Sequence, residues 1–132
     1  TKYMRIALIA HDNKEADMVA FVSKRLPFFN EEDVHVVATG TTGSHCKRAG
    51  IKKVERVQSG PMGGDAEIAA MVTRGEIDLV IFFRDPLGKH AHDVDISMLM
   101  RLCDVHNIPL ATNYKTASHL IKWYKHLRTI HE

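Results

Sequence analysis

With 132 residues, 45% of them hydrophobic and 26% charged, the chain has the balance of one globular domain and buries roughly two-thirds of its unfolded surface on folding. No apolar run approaches the ~20 residues of a membrane span, no signal-peptide pattern is present, and a net charge of +2 without a basic stripe interleaved with aromatics argues against nucleic acid. The two cysteines, Cys46 and Cys103, lack CxxC spacing and read as buried thiols in a reducing compartment, which points to the cytoplasm.

In chain order, Arg5–Ala10 is a short apolar run. It is followed by a helical pattern with Met18, Val19, Val22 and Leu26 on one face. Val34–Ala38 reads as a second strand, and Thr42–Ala49 as a short helix ended by Gly50. Val54–Val57 is a weak third strand, before a helix over Ala66–Arg74 that turns Ile68, Ala69 and Val72 inward. Leu79–Phe83 is uninterruptedly apolar, as a strand covered on both faces is. A helix from Ile96 to His106 puts Ile96, Leu99, Met100 and Cys103 together, and Ile108–Ala111 supplies a fifth strand. The last segment, Lys115–His131, is rich in Lys, Arg and His, but Ala117, Leu120, Ile121 and Tyr124 fall on one face. It reads as an amphipathic helix with a basic solvent side.

Strands alternating with helices require a parallel sheet with helices on both faces, here a single doubly wound α/β domain around a central five-stranded sheet. Such sheets bind ligands beyond the carboxyl ends of their strands. The segments after the five strands are His11-Asp12-Asn13-Lys14, Thr39-Gly40-Thr41-Thr42-Gly43, Ser59 through Asp65, Arg84-Asp85-Pro86 and Thr112-Asn113. The small polar and acidic residues concentrate in them, which predicts one concave polar site at that edge.

Thr39 through Gly43 offers backbone donors and three hydroxyls before a helix start, which suits a phosphate. Thr41 or Thr42 acting only as a helix cap accounts for the same residues. Ser59-Gly60 adds a second anion-friendly loop, and the two together favour the phosphate. His11-Asp12 either orients an imidazole or starts a helix with Asp12 or Asn13 as cap, and Lys14 is placed to offer a point charge. Asp65 follows three glycines, Gly60, Gly63 and Gly64, at the start of a helix. It is a cap, a base beside a phosphate ester, or both. His90-Ala91-His92-Asp93-Val94-Asp95 has too little ligand spacing for a metal; Asp95 fits an N-cap, and an acid–base role fits the patch equally. Asp85-Pro86 shapes its loop. Phosphate donors, carboxylates and histidines without a serine or cysteine nucleophile fit proton abstraction from a small phosphate ester better than hydrolysis.

These residues, taken in order, resemble methylglyoxal synthase. The resemblance is carried by Ile6-Ala7-Leu8-Ile9-Ala10-His11-Asp12, Ala38 through Gly43, Ser59 through Asp65, Phe82 through Leu87, His92-Asp93-Val94-Asp95 and Ile108 through Asn113. It implies a lyase without metal or cofactor that converts dihydroxyacetone phosphate to methylglyoxal and inorganic phosphate. It also implies a homohexamer inhibited by phosphate. Carried over by position, Asp65 is the base, His92 a substrate-oriented histidine, and Asp12 and Asp95 assisting carboxylates. His11, Thr39, Gly40, Thr41, Thr42, Ser59 and Gly60 bind substrate. The family's phosphate-binding lysine lies four residues after the first-loop histidine; Glu15 stands there, and Lys14 one residue earlier is the remaining candidate. A regulatory module sensing phosphorylated effectors is the alternative. It needs the phosphate loops but not Asp65, His92 and Asp95 together.

Overall fold

Five short runs of apolar, largely β-branched and aromatic residues form one sheet: β1 (Met4–Ala10), β2 (Val34–Ala38), β3 (Val54–Arg56), β4 (Leu79–Phe83) and β5 (Leu110–Ala111). The computed structural model describes residues 3–90 and 92–130. Every strand pairing is parallel and the spatial order is β3-β2-β1-β4-β5. The chain therefore starts in the middle, winds outward to β3, and returns to the other side of β1. The order reverses between β1 and β4, where doubly wound sheets open a crevice beyond the strand ends.

Helices cover both faces. They are α1 (Glu15–Ser23), α2 (Leu26–Phe29), α3 (Gly40–Ala49), α4 (Gly64–Thr73), α5 (Asp93–Val105) and α6 (Tyr114–Ile130). Because side chains alternate along a strand, Ile6 and Leu8 of β1 join one core with Met18, Phe21, Cys46 and Ile121. Ala7 and Ile9 join the other, with Ile68, Val72, Leu99 and Cys103. All five side chains of β4 are buried, as its unbroken apolar run predicts. Fully burying one side chain of that size contributes roughly 1.5–3 kcal/mol.

Helix starts differ from the sequence reading. The first helix α1 stops at Ser23, and Leu26 opens the separate short α2, with Pro27 in its first turn. The helix read from Thr42 begins at Gly40, with extended Thr39 in the N-cap position, so Gly40 through Gly43 are its first turn rather than a loop. Neither Thr41 nor Thr42 caps it. Likewise α5 begins at Asp93 behind His92, which places Asp95 inside the first turn and not at the cap. Gly63 stands at the N-cap of α4 with φ +98°, and no side chain caps that helix. Asp12 and Asn13 lie in a 3-10 turn and cap nothing. Ala91 of the histidine patch and His131 of the basic segment lie outside the described residues.

Candidate active site

The crevice predicted by the winding contains a cavity of about 350 Å³ at the carboxyl ends of β1, β2 and β4. His11, Asp12, Thr39, Thr41, Thr42, Ser59, Gly60, Asp65 and His92 line it, and all of these stand out in the sequence as site candidates. Lys14, Gly40 and Asp95 do not line it. His90, of the patch read for acid–base chemistry, does line it, as do Glu15, Asp85 and Lys89, which were not singled out for this role from the sequence.

Asp65 is completely buried in the first turn of α4. Its Oδ2 lies 3.1 Å from Nε2 of His92, yet neither carboxylate oxygen has an aligned hydrogen bond among the described residues. The cap reading of Asp65 is therefore not what the fold realises. Burial pushes its pKa upward, the charge of His92 opposes that rise, and the nearby Asp95 carboxylate adds to it. Asp95 thus acts on Asp65 electrostatically from behind the cavity wall. Gly60 makes the pairing sterically feasible: a Cβ there would sit 2.8 Å from His92 Nε2 and 3.4 Å from Asp65 Oδ2.

His11 is held from the opposite wall. The backbone N–H of Asp85 donates to its Nδ1 at 2.8 Å, so a neutral ring carries its proton on Nε2. That Nε2 is buried with no hydrogen-bond partner among the described residues. Burial first, then the charges of His90, His92 and Arg84, lower the His11 pKa to about 4, which keeps the ring neutral at physiological pH. His90 stacks on it, ring centroids 3.7 Å apart. Asp85 is pinned through its own carboxylate, which accepts from the Asn13 side chain at 2.9 Å and from the Leu87 N–H at 3.1 Å. Asp85 does shape the loop, as expected, and its N–H also fixes a tautomer.

The third wall is the first turn of α3. Helix geometry leaves first-turn N–H groups without a carbonyl one turn back. Gly40 gives its N–H to the Gln58 carbonyl at 3.3 Å, and a Cβ on Gly40 would meet the Ser59 nitrogen at 3.2 Å. Gly40 therefore brings the two anion-friendly segments together rather than offering a free donor. The Thr42 hydroxyl accepts from the Ala10 N–H at 3.1 Å and donates to Glu15 Oε2 at 2.9 Å, so its proton is already committed. Thr39, Thr41 and Ser59 remain as hydroxyl donors on this side. Glu15 is buried, and burial lifts its pKa to about 7 against the opposing Thr42 hydrogen bond.

Six buried polar atoms of the lining residues have no hydrogen-bond partner among the described residues: His11 Nε2, Glu15 Oε1, both Asp65 oxygens, His90 Nε2 and His92 Nδ1. Proteins keep such atoms rare outside functional sites. Among the described residues, no group of three or more His, Cys, Asp or Glu is arranged to hold a metal ion, and no helix is long and apolar enough to cross a membrane.

A doubly wound α/β fold whose switch point combines helix-start donors, a buried carboxylate 3.1 Å from one imidazole and a second, neutral imidazole is suited to acid–base chemistry on a small polar ligand. The model of the MGS-like domain matches residues 17–112. Methylglyoxal synthase of Geobacillus sp. (strain WCH70) is 56% identical over 119 residues, covering 90% of this chain and 84% of that protein. Methylglyoxal synthase of Borrelia garinii subsp. bavariensis is 50% identical over 125 residues, 95% of this chain and 98% of its own. The crystal structure of methylglyoxal synthase from Elizabethkingia anophelis NUHP1 superposes with a TM-score of 0.80 at 40% identity, over 89% of this chain and 76% of that one. The chain belongs to the methylglyoxal synthase family.

Proposed function

We propose that this chain is a lyase that takes dihydroxyacetone phosphate to methylglyoxal and inorganic phosphate. The observation that carries the reading is Asp65: a completely buried carboxylate with both oxygens unsatisfied, beside His92 and across the cavity from a neutral His11. A carboxylate in water is too weak a base for a proton next to a carbonyl. Burial strengthens it, and donors already in place lower the cost of the charge that develops.

Asp65 removes a proton from the hydroxymethyl carbon. His11 Nε2–H and His92 stabilise the enediolate oxygens, most effectively as neutral rings. Thr39, Thr41, Ser59 and Gly60, with the first-turn amides of α3, hold the phosphate so that its C–O bond stands perpendicular to the enediolate plane. The bond then breaks, phosphate leaves with the electron pair, and the enol product becomes methylglyoxal. Asp12 and Asp95 assist through charge and proton relay, with no metal or cofactor in any step.

Released phosphate fits the same donors as the ester, which supports product inhibition. The resemblance adds a homohexamer working as one-domain subunits in the cytoplasm. Leu87, Val94 and Met62 are 94%, 81% and 72% exposed, and subunit packing would cover such apolar surface beside the site. The test is direct: purified protein with dihydroxyacetone phosphate, assayed for methylglyoxal and free phosphate together. Both products in equal amount support the reaction. Tight binding of the ester without either product would mean a regulatory module instead.

A further inference from the structure

Glu15 lines the candidate active site together with Thr39, Thr41 and Thr42, yet neither proton abstraction nor enediolate binding uses it. It is 8% exposed, unusual for a residue type that is almost never fully buried unless paired. Its partner is a hydroxyl. Thr42 accepts from the Ala10 N–H at 3.1 Å and donates to Glu15 Oε2 at 2.9 Å. Because Oε2 is the acceptor, a neutral carboxyl carries its proton on Oε1. That atom is buried with no hydrogen-bond partner among the described residues, so the cavity wall holds an uncommitted acid.

Burial keeps the proton on Glu15 to higher pH, lifting its pKa to about 7; the Thr42 bond opposes the rise and the charge of Asp12 adds to it. Cys46 of α3 is the other titratable group coupled to it, and burial and then the Glu15 charge push that thiol up to about 12.

The elimination itself calls for an acid at this end. A phosphate monoester carries about −1.5 to −2 charge at pH 7. When its C–O bond breaks, the electron pair stays on the bridging oxygen, and without help a trianion would have to leave. A cation or a proton at that oxygen removes the difficulty. Among the described lining residues the one lysine or arginine is Lys89, on the segment after β4; α1 and α3 contribute none, and Lys14 lies outside the cavity. The threonine side offers dipoles and one buried carboxyl.

We propose that Glu15 is the general acid of the elimination, giving its Oε1 proton to the bridging oxygen of the departing phosphate. The inference rests on the lyase reading and deepens it. As the C–O bond breaks, its electron pair goes to that oxygen, the Glu15 O–H bond breaks, and phosphate leaves as the hydrogen phosphate dianion. Glu15 remains as a carboxylate and regains a proton from water, while Asp65 releases to water the proton it took from carbon. One proton has left carbon and one has joined phosphate, with no co-reactant.

The test supplies dihydroxyacetone phosphate in deuterated water to the wild type, Glu15→Gln and Glu15→Asp. Deuterium entering the hydroxymethyl carbon of unreacted substrate, read by NMR, reports Asp65 and the enediolate; free phosphate reports bond cleavage. A glutamine amide donates a hydrogen bond but releases no proton. Phosphate release by Glu15→Gln is therefore expected to fall by about 100-fold or more, with deuterium entry at least as fast as in the wild type. Glu15→Asp, which keeps an acid, recovers part of the release. Undiminished release in Glu15→Gln, or release and deuterium entry falling together, overturns the proposal. A wild type that releases no phosphate overturns the lyase reading itself, a result distinct from both. Should the amide variant fail to fold, a pH series of the wild type decides: release declines above about pH 7 while deuterium entry holds, and release sustained to about pH 9 overturns the assignment.

Discussion

The Asp85 N–H and His11 Nδ1, 2.8 Å apart, join residues that follow β4 and β1 on either side of the point where the sheet reverses. Because the donor is a backbone group, the bond is insensitive to the side chain at position 85. It requires Nδ1 to accept, so His11 presents Nε2–H to the cavity. Imidazole 15N spectra are expected to show His11 as the neutral Nε2–H tautomer from about pH 5 upward, given a pKa lowered to about 4. Asp85→Asn retains the N–H and should leave that tautomer in place. A His11 ring that titrates near its ordinary pKa would contradict this account.

Asp65→Asn separates catalysis from folding. Among the described residues the carboxylate caps no helix and has no aligned hydrogen bond, and an amide of the same shape fits beside His92 Nε2, 3.1 Å away. Turnover of dihydroxyacetone phosphate is expected to drop by about two to four orders of magnitude. Thermal stability should hold or rise, because a neutral amide is spared the desolvation that raises the Asp65 pKa. A variant that keeps near-full turnover would remove Asp65 as the base.

The strands and their inward faces were readable because burial on both sides leaves a continuous apolar run; Leu79–Phe83 matches the observed β4 at both ends. Helix starts were not, since Gly40 and Thr41 have the composition of a loop while occupying a first turn whose amides need no helical partner. The wall residues Asp65, His92 and His11 stood out because carboxylates and imidazoles cluster after strands for few other reasons. Glu15 gave no such signal: acids are ordinary in a first helical turn. Its hydrogen-bond partner in the fold is the hydroxyl of Thr42, 27 residues further along. The Asp85 contact was illegible for a different reason, as a backbone N–H leaves no mark in a side-chain pattern.

Gly60 and Gly64 predict two different failures. A Cβ at position 60 would press on His92 Nε2 at 2.8 Å, the movable end of a side chain, so Gly60→Ala should fold and misplace the imidazole. A misplacement near 1 Å costs about 100-fold in kcat. A Cβ at position 64 would lie 1.9 Å from the Gln58 carbonyl oxygen, which belongs to backbone. Gly64→Ala must shift the chain and should cost about 1–3 kcal/mol or more. Melting curves beside steady-state kinetics distinguish them: activity lost at near-normal stability for the first, stability lost for the second.

Glu15 sets a pH dependence that can be isolated. Its pKa rises from 4.5 in the reference state to about 7 in the fold, so between those values the folded protein binds the extra proton. Stability from this group is therefore fully present below about pH 4.5 and is lost as pH rises through about 7, with a total on the order of 3 kcal/mol. Ionised Glu15 also lines the cavity beside Thr42, on the side proposed to hold the phosphate, so KM for dihydroxyacetone phosphate should climb over the same upper range. Glu15→Gln keeps a hydrogen-bonding partner for Thr42 and removes the charge. Its melting temperature is expected to exceed that of the wild type above about pH 7, and its KM to stay flat there. Parallel pH profiles of the two proteins would mean that Glu15 is not ionising in the cavity where its carboxyl lies.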